Sequence, residues 1–278
     1  MIQPPARPFL KWAGGKTQLL PQLLDRIPGD WYLDVGTYHE PFVGGGAMFF
    51  GLRRRIQRAV LSDSNQQLIQ TYMAVRDRVE DVIELLRKYA RAFRARGGDY
   101  FYELRNAGPG LECVNVAAWL IFMNHTCFNG LYRVNKSGKF NVPYGRYKNP
   151  TICDEKNLLA CSRALAGVEL YCADFRSFTS EAYARTFYFD PPYWPVSKTS
   201  NFTGYTGEKF AYLDQMELAP IAIRLRKDGA QVMLSQGGDR ILVEQYRRLG
   251  FRCDPVRARR NINCRGAGRG TVREYIIT

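Results

Sequence analysis

Four short apolar runs, each ending in a small or acidic residue, constrain the fold of this chain more than any other feature. They are "RAVLSD" ending at Asp63, "VELYCAD" ending at Asp174, "RTFYFD" ending at Asp190 and "AQVMLS" ending at Ser235. Continuous apolar runs of this length suit strands that are buried on both faces, as in a parallel sheet covered by helices. The sequence therefore predicts an α/β fold.

Two helical patterns accompany the later runs. Residues 213–226 form one, although we expect Pro220 to disturb it because proline lacks the N–H that a helix interior needs. Residues 239–249 form the other, and Gly250 is expected to end it. Helices beside such strands are what a covered parallel sheet requires.

The stretch between Asp63 and Glu169 is longer than a crossover between strands needs, so we expect an inserted module there. It opens with apolar residues that step by three and four, which predicts a helix. These residues are Leu68, Tyr72, Val75, Val79, Val82 and Leu86. "RARGGD" around Gly97 breaks the pattern, and "NVAAWLIFMNHTCF" resumes a helical apolar segment.

A turn-rich, basic stretch, "NGLYRVNKSGKFNVPYGRYKNP", follows this second helical segment. Residues 135–138 within it can turn a β-hairpin. We therefore divide the chain into a first part of the core at 1–64, an inserted module with a hairpin at 65–155 and a second part of the core at 156–278.

The charge of the chain indicates its class of partner. Lysine and arginine outnumber aspartate and glutamate by 40 to 26, which gives a net charge of +14 and a pI near 9.6. This balance is expected of a protein that binds a polyanion, although basic proteins that bind no nucleic acid exist. We expect phosphate contacts from the basic module and from the C-terminal run "RARRNINCRGAGR", through Arg257, Arg259, Arg260 and Arg265.

Hydrophobic residues make up 46% of the chain, enough to bury a core, so the disordered class is excluded. No apolar run approaches the roughly 20 residues of a membrane span. The N-terminus lacks the apolar segment of a signal peptide. We expect a cytoplasmic protein, monomeric in solution, with no membrane partner.

The chain contains only two histidines, His39 and His125, and seven cysteines without a CxxC pair. A Ser-His-Asp site, a multi-histidine metal site or a zinc ribbon is difficult to build from this set. We expect both histidines to be structural and no metal to be bound.

The stretch "LKWAGGKT" looks like the end of a phosphate-binding loop. Such a loop needs a glycine five positions before its Gly-Lys pair, and here that position holds Leu10. A strand should also lead into the loop, yet only nine residues precede it and three are proline. Binding of a nucleoside triphosphate is therefore excluded.

A glycine-rich turn and an acidic residue after it favour an adenosine-type cofactor. Gly44, Gly45 and Gly46 allow a tight turn and close approach of the backbone to a ligand. Asp63 follows roughly 20 positions later, where doubly wound folds commonly hydrogen-bond a ribose. Two alternatives remain: a purely structural turn, and an Asp63 that caps a helix beginning near Asn65.

The stretch "FDPPYW" suits recognition of a planar amine. Its two prolines stiffen the backbone and leave carbonyl oxygens without local donors. Asp190 adds a carboxylate and Tyr193 a flat ring, so the stretch offers acceptors for an NH₂ group and a stacking surface. It also follows a predicted strand, where ligands bind in such folds. The alternative is an ordinary turn at the end of a strand.

Five motifs occur in one order along the chain: "FLKWAGGK", "EPFVGGG", "LSD" with Asn65, "NGLYRVN" with "GKFNVPYGRY", and "DPPY" followed by "NFTGY". They span nearly all of it, and in them the chain resembles the Dam-type (D12 class) DNA adenine N6-methyltransferases. The resemblance implies a Rossmann-like, S-adenosylmethionine-dependent methyltransferase core. It also implies an inserted, mainly helical DNA-recognition module that carries a β-hairpin, with double-stranded DNA as the partner.

The resemblance also implies roles for individual residues. On the cofactor side are Trp12, Lys16, Glu40, Phe42, Gly44, Asp63, Asp174 and Asp190. The catalytic group is Asp190, Pro191, Pro192 and Tyr193. The DNA contacts are Lys11, Asn129, Leu131, Arg133, Asn135, Pro143 and Tyr147. Because six of these DNA contacts, all except Asn135, match enzymes of the family that read GATC, we expect methylation of the adenine in GATC.

Two residues depart from the family pattern. The family often has asparagine at the position of Gln236, which puts one supporting contact in doubt. Trp194 follows the tyrosine where smaller residues are usual, and nothing in the sequence explains it.

The expected reaction needs no general base before methyl transfer, and no metal. Adenine N6 is a poor nucleophile because its lone pair is delocalised into the ring. Acceptance of both amine hydrogens, by the Asp190 carboxylate and the Pro191 carbonyl, favours a localised lone pair and meets the positive charge that develops. The base must leave the duplex to be reached, and stacking on Tyr193 offsets part of that cost.

Two other classes of function stay open at this point. One is a methyltransferase that acts on RNA or on a protein glutamine, although glutamine methylases usually show asparagine where this chain has Asp190. The other is a non-catalytic DNA-binding relative, which would be expected to have lost part of "DPPY" or the glycines. The biological setting is open too: a regulatory methylase, a restriction–modification partner or a phage enzyme.

Overall fold

A computed structural model describes residues 5–27, 36–178, 185–193, 210–259 and 271–278 of the chain. The described strands form one seven-stranded sheet. They are β1 (Thr37–Glu40), β2 (Arg58–Asp63), β3 (Glu169–Cys172), β4 (Arg185–Phe189), β5 (Gln231–Gly237), β6 (Cys253–Arg259) and β7 (Thr271–Ile277). The described helices are α1 (Leu20–Leu24), α2 (Ala47–Leu52), α3 (Gln66–Asp77), α4 (Val79–Arg96), α5 (Gly98–Ala107), α6 (Cys113–Thr126), α7 (Glu155–Leu165), α8 (Tyr212–Lys227) and α9 (Arg240–Arg248).

The strand order is β3-β2-β1-β4-β5-β7-β6, and neighbours from β3 to β5 are parallel. Strand β7 runs antiparallel to both β5 and β6. The predicted α/β fold with a mostly parallel, Rossmann-like sheet is therefore confirmed. The chain moves outward from β1 to β3 and then crosses to β4 on the other side of β1. The carboxyl ends of β1 and β4 thus flank the switch point where open α/β sheets bind ligands.

Strand β4 shows why the apolar runs are continuous. Tyr188 points into a core cluster that includes residues of α2, α3 and α6, while Phe187 and Phe189 point into a second cluster with α8 and α9. All three side chains are buried. A strand covered on both faces has no solvent side, so no polar alternation is visible in its sequence.

The predicted single helix over Leu68 to Leu86 is wrong, because two helices cover this stretch. Arg78 leaves the helical region with φ −137° and ψ 38°, and it separates α3 from α4. Its N–H still closes the last turn of α3 onto the carbonyl of Ala74, at 2.8 Å. The apolar spacing continues into Val82, so periodicity alone hides the break.

The expected disturbance at Pro220 is also wrong, because α8 runs through it. A proline at this position leaves the carbonyl of Met216, four residues earlier, without its helical N–H donor. The side-chain amide of Gln245 on α9 donates to that carbonyl at 3.1 Å. A neighbouring helix therefore supplies the missing hydrogen bond. The prediction for α9 is confirmed, with Asp239 as its N-cap and Gly250 just beyond its end.

The long connection from β2 to β3 contains α3 to α7 and the predicted hairpin. The N–H of Gly138 donates to the carbonyl of Asn135 at 2.9 Å, and Val134 pairs with Phe140 across the turn. Helix α3 packs against α6 as well as against β3 and α7. The division at 1–64, 65–155 and 156–278 stays a prediction. In the part of the chain that the structure describes, no helix is both long and apolar enough to cross a membrane.

Candidate active site

Four charged residues meet beside the switch point. Glu40 ends β1, Asp63 ends β2 and Asp190 directly follows β4, so the parallel strands bring three carboxylates to one edge of the sheet. Lys16 reaches the same edge from a short 3₁₀ turn, Lys16–Gln18, in the "KWAGGK" segment. The sequence predicted all four as site residues, and the structure brings them together.

Lys16 and Asp190 form an ion pair that is largely removed from solvent. The ammonium lies 2.7 Å from Oδ1 of Asp190, and it also donates to the carbonyl of Gly14 at 2.6 Å. Burial raises the pKa of Asp190 to about 6, and the attraction of Lys16 opposes this rise. The ammonium of Lys16 also lies over the ring of Tyr193, 4.6 Å from its centre. The pair therefore presents an ionised acceptor at neutral pH.

Glu40 is buried, and its carboxylate accepts a hydrogen bond from the hydroxyl of Tyr38 at 2.8 Å. Burial raises the pKa of Glu40 to about 8, and the negative charge of Asp190 adds to the rise. A cation placed beside such a buried carboxyl group would lower its pKa and stabilise its ionised form. Glu40 is therefore suited to receiving a positively charged group of a ligand.

Asp63 holds the glycine turn. Its Oδ2 accepts from the N–H of Gly44 at 3.1 Å, and its Oδ1 accepts from the N–H of Asn65 at 3.0 Å. Burial raises the pKa of Asp63 to about 6. Asn65 caps α3, because its own side chain accepts from the N–H of Leu68, so the alternative of Asp63 as the cap is wrong.

Trp12 explains why the turn needs glycine. Gly44 has φ +46°, and a Cβ on it would lie 2.8 Å from Cδ1 of Trp12. The indole therefore rests directly on the backbone of the turn. The hydroxyl of Tyr72 fixes the same turn from α3 by donating to the carbonyl of Gly44 at 3.0 Å.

Phe42 lies in a cluster of three rings. Its centroid is 5.3 Å from that of Phe175 and 5.6 Å from that of Phe210. Asp174, beside Phe175, is exposed and forms an ion pair with Arg176 at 2.9 Å. Phe175 and Phe210 were not predicted from the sequence to lie beside Phe42. The signal for Phe175 was its place next to Asp174, itself a predicted cofactor residue.

The "DPPY" segment is held by two buried glutamines. The side-chain amide of Gln215 on α8 donates to the carbonyl of Pro192 at 2.6 Å. Gln236 on β5 donates to Oε1 of Gln215 at 2.8 Å, and its own Oε1 accepts from the N–H of Gly237 at 2.9 Å. Gln236 therefore supports the segment through Gln215, which accounts for one of the two departures from the family pattern.

Tyr193 is held from the C-terminal strand pair. Its hydroxyl donates to Glu274 on β7 at 2.9 Å. A Cβ on Gly237 would lie 3.2 Å from Cγ of Tyr193, so the ring packs against the end of β5. Gln215 and Glu274 were not predicted from the sequence, because no local pattern relates either residue to "DPPY".

Three of the predicted DNA-contact residues lie together at the "KWAGGK" segment. The ammonium of Lys11 lies 5.1 Å from the ring centre of Tyr147. The hydroxyl of Tyr147 accepts from the N–H of Asn129 at 3.0 Å. Asn129 has a positive φ of 55°, one of two such non-glycine residues in the described chain. The structure thus joins the N-terminal segment, residues 5–16, to the start of the hairpin region, residues 128–147.

The other predicted DNA contacts lie along the hairpin with different exposures. Arg133 is exposed, and its Nε donates to Oδ1 of Asn141 at 2.6 Å. Asn135 uses its side-chain oxygen within the turn, where it accepts from the N–H groups of residues 137 and 139. Pro143 is exposed, whereas Leu131 is only 7% exposed, so little of its side chain is open to a partner. Trp194, the "NFTGY" motif, Arg260 and Arg265 lie outside the described residues.

Both histidines have structural surroundings. Burial and the nearby charge of Arg185 lower the pKa of His39 to about 3. His125 lies between backbone carbonyls, with its Nε2 3.0 Å from the oxygen of Phe9 and its Nδ1 against that of Thr151. Among the residues that the structure describes, no group of three or more His, Cys, Asp or Glu side chains is arranged so that it could hold a metal ion.

Comparison with known proteins identifies the chain by family. Residues 12–262 match the family model of the D12 class N6 adenine-specific DNA methyltransferases. The chain is 42% identical to the type II methyltransferase M.MjaIII of Methanocaldococcus jannaschii, covering 94% of each protein. It is 39% identical to the type II methyltransferase M1.LlaDCHI of Lactococcus lactis subsp. cremoris, covering 98% of this chain and 95% of the relative.

A third relative is the DNA adenine methylase of Serratia marcescens, which is 34% identical over 97% of each chain. The family description and the name of the Serratia marcescens relative both specify adenine in DNA, which disfavours the alternatives of an RNA or a protein substrate. The match also includes the candidate site from Trp12 to Asp190. The chain therefore belongs to the D12 class of N6 adenine-specific DNA methyltransferases.

Proposed function

We propose that this protein transfers a methyl group from S-adenosylmethionine to N6 of an adenine that has been flipped out of duplex DNA, within the sequence GATC. The observation that carries the proposal is the ion pair between Lys16 and Asp190 at the switch point. In the sequence, Asp190 is followed directly by two prolines and a tyrosine. A carboxylate that stays ionised next to a stiff run of carbonyls is suited to accepting the hydrogens of an amine.

The residues around the switch point fit S-adenosylmethionine. The buried carboxyl of Glu40 would receive the ammonium of its methionine part, which removes the cost of burying that carboxylate. Asp63 would accept from the ribose hydroxyls, since its two oxygens already accept from backbone N–H groups and a carboxylate has further acceptor capacity. The rings of Phe42 and Phe175 offer apolar surface for the adenine. When bound, S-adenosylmethionine supplies the electrophilic methyl group.

Asp190 and Pro191 would hold the target amine. Because Lys16 occupies Oδ1 of Asp190, the second carboxylate oxygen is the proposed acceptor for one N6 hydrogen. The carbonyl of Pro192 is already bonded to Gln215, which supports Pro191 as the source of the second acceptor. The two acceptors would then meet the positive charge that develops on N6 as the N–C bond forms and the methyl–sulfur bond breaks, which leaves a neutral thioether. After methyl transfer, the extra proton on N6 would be lost to the carboxylate of Asp190, which already accepts one of the N6 hydrogens.

Tyr193 would stack on the extruded base. Its hydroxyl is anchored by Glu274, which fixes the plane of the ring. The ammonium of Lys16 lies over one face of that ring, so the base is expected on the opposite face. Stacking on an aromatic side chain contributes roughly 1–3 kcal/mol per base, which offsets part of the cost of flipping.

The hairpin and the N-terminal segment would read the site. Arg133 is exposed, as a side chain that reaches guanine O6 and N7 in the major groove must be. Lys11, Asn129 and Tyr147 form a second, connected group where the N-terminal segment meets the hairpin region. The proposal of GATC rests on the resemblance of this set to that of Dam-type enzymes that read GATC.

The test uses purified protein, labelled S-adenosylmethionine and plasmid DNA. We expect Asp190→Ala to abolish methyl transfer while leaving DNA affinity within about threefold, because the carboxylate acts on the base and not on the duplex. The matched control is Asp77→Asn, which removes a surface carboxylate that pairs with its neighbour Arg76. Near-normal turnover by Asp190→Ala would contradict the proposed role.

The target sequence is tested separately by digesting the methylated plasmid. One endonuclease should cut only methylated GATC, and a second should be blocked by methylation there. If GATC sites stay unprotected while adenines elsewhere carry the methyl group, the target sequence is wrong and the methyltransferase activity stands.

A further inference from the structure

The N-terminal segment reaches the site without joining the sheet. Side chains of α6 and α7 hold its backbone instead, at every second residue. Arg7 exchanges two hydrogen bonds with the side-chain amide of Asn157, at 3.1 and 3.0 Å. The carbonyl of Phe9 contacts His125, and Lys11 exchanges two hydrogen bonds with Asn124 at 2.8 and 2.7 Å. Two asparagines thus fasten the segment in the same way.

Asn124 differs from Asn157 because it makes one more hydrogen bond. Its Nδ2 donates to the carbonyl of Gly130 at 2.8 Å as well as to that of Lys11. The side chain is 1% exposed, and its oxygen and both of its N–H groups are used. Gly130 has φ +63°, and a Cβ there would lie 2.7 Å from Cδ of Lys11. Asn124 therefore locks the N-terminal segment against the start of the hairpin region.

The locked segment continues into the active site. Trp12 stacks on Tyr132 of the hairpin region, with ring centroids 5.4 Å apart, and its indole also rests on Gly44. Four residues after Trp12, Lys16 pairs with Asp190. The segment 11–16 therefore contacts the base-reading hairpin at one end and the proposed amine acceptor at the other.

We propose that Asn124 is a positioning residue that couples recognition of the target sequence to methyl transfer. It fixes the distance between the hairpin and the Lys16–Asp190 pair, so that correct contacts at the hairpin align Asp190 with the base. This inference rests on the proposed function. A loosened segment would still bind DNA, but binding the correct sequence would no longer improve alignment, because positioning errors of about 1 Å cost rate rather than affinity.

The test compares Asn124→Ala with Asn157→Ala, a matched control that also frees the backbone of the N-terminal segment. Rates are measured on the preferred duplex and on duplexes with one altered base pair. For Asn124→Ala we expect kcat on the preferred site to fall by about tenfold or more, and the ratio of kcat/KM between preferred and altered sites to shrink similarly. KM for DNA should change by less than about threefold. Asn157→Ala should lose thermal stability but keep the ratio.

A second readout does not depend on activity. Hydrogen exchange of residues 9–16 should slow when the preferred duplex binds to the wild type and to Asn157→Ala, and should not respond in Asn124→Ala. Should the alanine variant fail to fold, Asn124→Asp keeps the shape and the bond from the Lys11 N–H. Burial favours the protonated form of this carboxyl group, which has a single donor and can hold only one of the two carbonyls. Asn124→Asp should then give the same two results.

The inference is overturned if Asn124 variants keep the wild-type ratio, or if Asn157→Ala lowers it equally, since either result means that Asn124 has a general structural role. The altered duplexes are designed from whatever site the wild type prefers. A preferred site other than GATC therefore contradicts the proposed target and leaves this test intact. A wild type without transferase activity contradicts the proposed function, and the exchange experiment still decides the role of Asn124.

Discussion

Lys16 and Asp190 lie 174 positions apart in the sequence, yet the ammonium of one is 2.7 Å from the carboxylate of the other. Lys16 is 4% exposed, so water screens this attraction little. The pair opposes the effect of burial, which by itself favours the protonated form of Asp190. In the proposed reaction only the ionised form accepts the hydrogen of the amine.

Replacing Lys16 should therefore move the pH dependence of the reaction. In the wild type we expect kcat/KM to fall below about pH 6, where Asp190 becomes protonated. In Lys16→Met the pKa of Asp190 rises further, so the fall begins at higher pH and activity at pH 7 is lower by about tenfold or more. Lys11→Met is the control, because it removes a cation of the same segment that does not contact Asp190. The pH at which kcat/KM falls should not change in this variant. If kcat/KM of Lys16→Met falls at the same pH as that of the wild type, the electrostatic role of Lys16 is disproved.

Three carboxyl groups that are wholly or largely removed from solvent should make the ligand-free protein less stable as pH rises. The pKa values of Asp63 and Asp190 are raised from 3.8 to about 6, and that of Glu40 from 4.5 to about 8. At a pH between its lower and its raised pKa, each group is protonated in the folded protein and ionised in the unfolded chain. These three groups therefore stabilise the fold most at the acid end of this window, and each lowers the free energy of unfolding by up to about 1.4 kcal/mol per pH unit as it titrates. Burial lowers the pKa of both histidines, which act in the opposite sense below about pH 6.5, so the carboxyl groups dominate the slope above that pH.

Denaturation with urea from pH 5 to pH 8 measures this slope. Glu40→Gln should flatten it between pH 6 and 8, where Glu40 is the group still losing its proton. Asp77→Asn serves as the control, since the pKa of this surface carboxyl is lowered by its Arg76 partner and its titration ends below the window. A free energy of unfolding that rises with pH throughout this range would contradict the burial argument.

The fold was predictable where one element carries its own signal. Strands such as β4 are apolar throughout because both faces are covered, and that feature is visible in five residues. The end of α9 was predictable because Asp239 and Gly250 act locally. The break at Arg78 was not, since the apolar spacing continues across it. The continuity of α8 at Pro220 depends on Gln245 from another helix, which no local pattern reveals.

The same distinction applies to the site. Lys16, Glu40, Asp63 and Asp190 were found from motifs, because each stands in a recognisable stretch at the end of a strand or in a turn. Gln215 and Glu274 were missed because each reaches "DPPY" from a distant part of the chain. Their identity as supporting residues depends on packing, and a single sequence contains no record of that.

Binding of S-adenosylmethionine should release protons from Glu40. At pH 7 the carboxyl of the ligand-free protein is mostly protonated, because its pKa is about 8. An ammonium placed beside it favours the carboxylate, so binding should release about one proton per site. Calorimetry in two buffers with different ionisation enthalpies measures this number. Glu40→Gln should bind more weakly and release none, whereas a wild type that releases none would contradict this role of Glu40.

Arg133 should govern one base pair of the target. Its guanidinium is exposed on the hairpin and oriented by Asn141, so it can turn to a guanine edge without breaking the core. Arg133→Ala should cost roughly 1–3 kcal/mol in binding and relax selectivity at one position. Lys136→Ala, in the exposed turn of the same hairpin, should instead weaken binding to all sequences equally. Uniform weakening by both variants would mean that Arg133 contacts only phosphate.

Gln215 should matter to the rate and not to DNA affinity. Its amide holds the carbonyl of Pro192, and Gln236 holds Gln215 in turn, so the pair fixes the backbone that carries the proposed acceptors. Gln215→Leu frees this carbonyl, which can then rotate with its neighbours. We expect kcat to fall by about tenfold to a hundredfold, with KM for DNA changed by less than about threefold.

Gln245→Leu is the matched control for this prediction. Gln245, like Gln215, donates a side-chain hydrogen bond to a backbone carbonyl. Its acceptor is the carbonyl of Met216, which lies within α8 and not in "DPPY". The two variants should lose similar thermal stability, and only Gln215→Leu should lose rate. Gln236→Leu should act in the same direction as Gln215→Leu, and the double variant should be no worse than Gln215→Leu alone, because the two residues act through one carbonyl. Additive losses in the double variant would mean that Gln236 supports the site by a route other than Pro192.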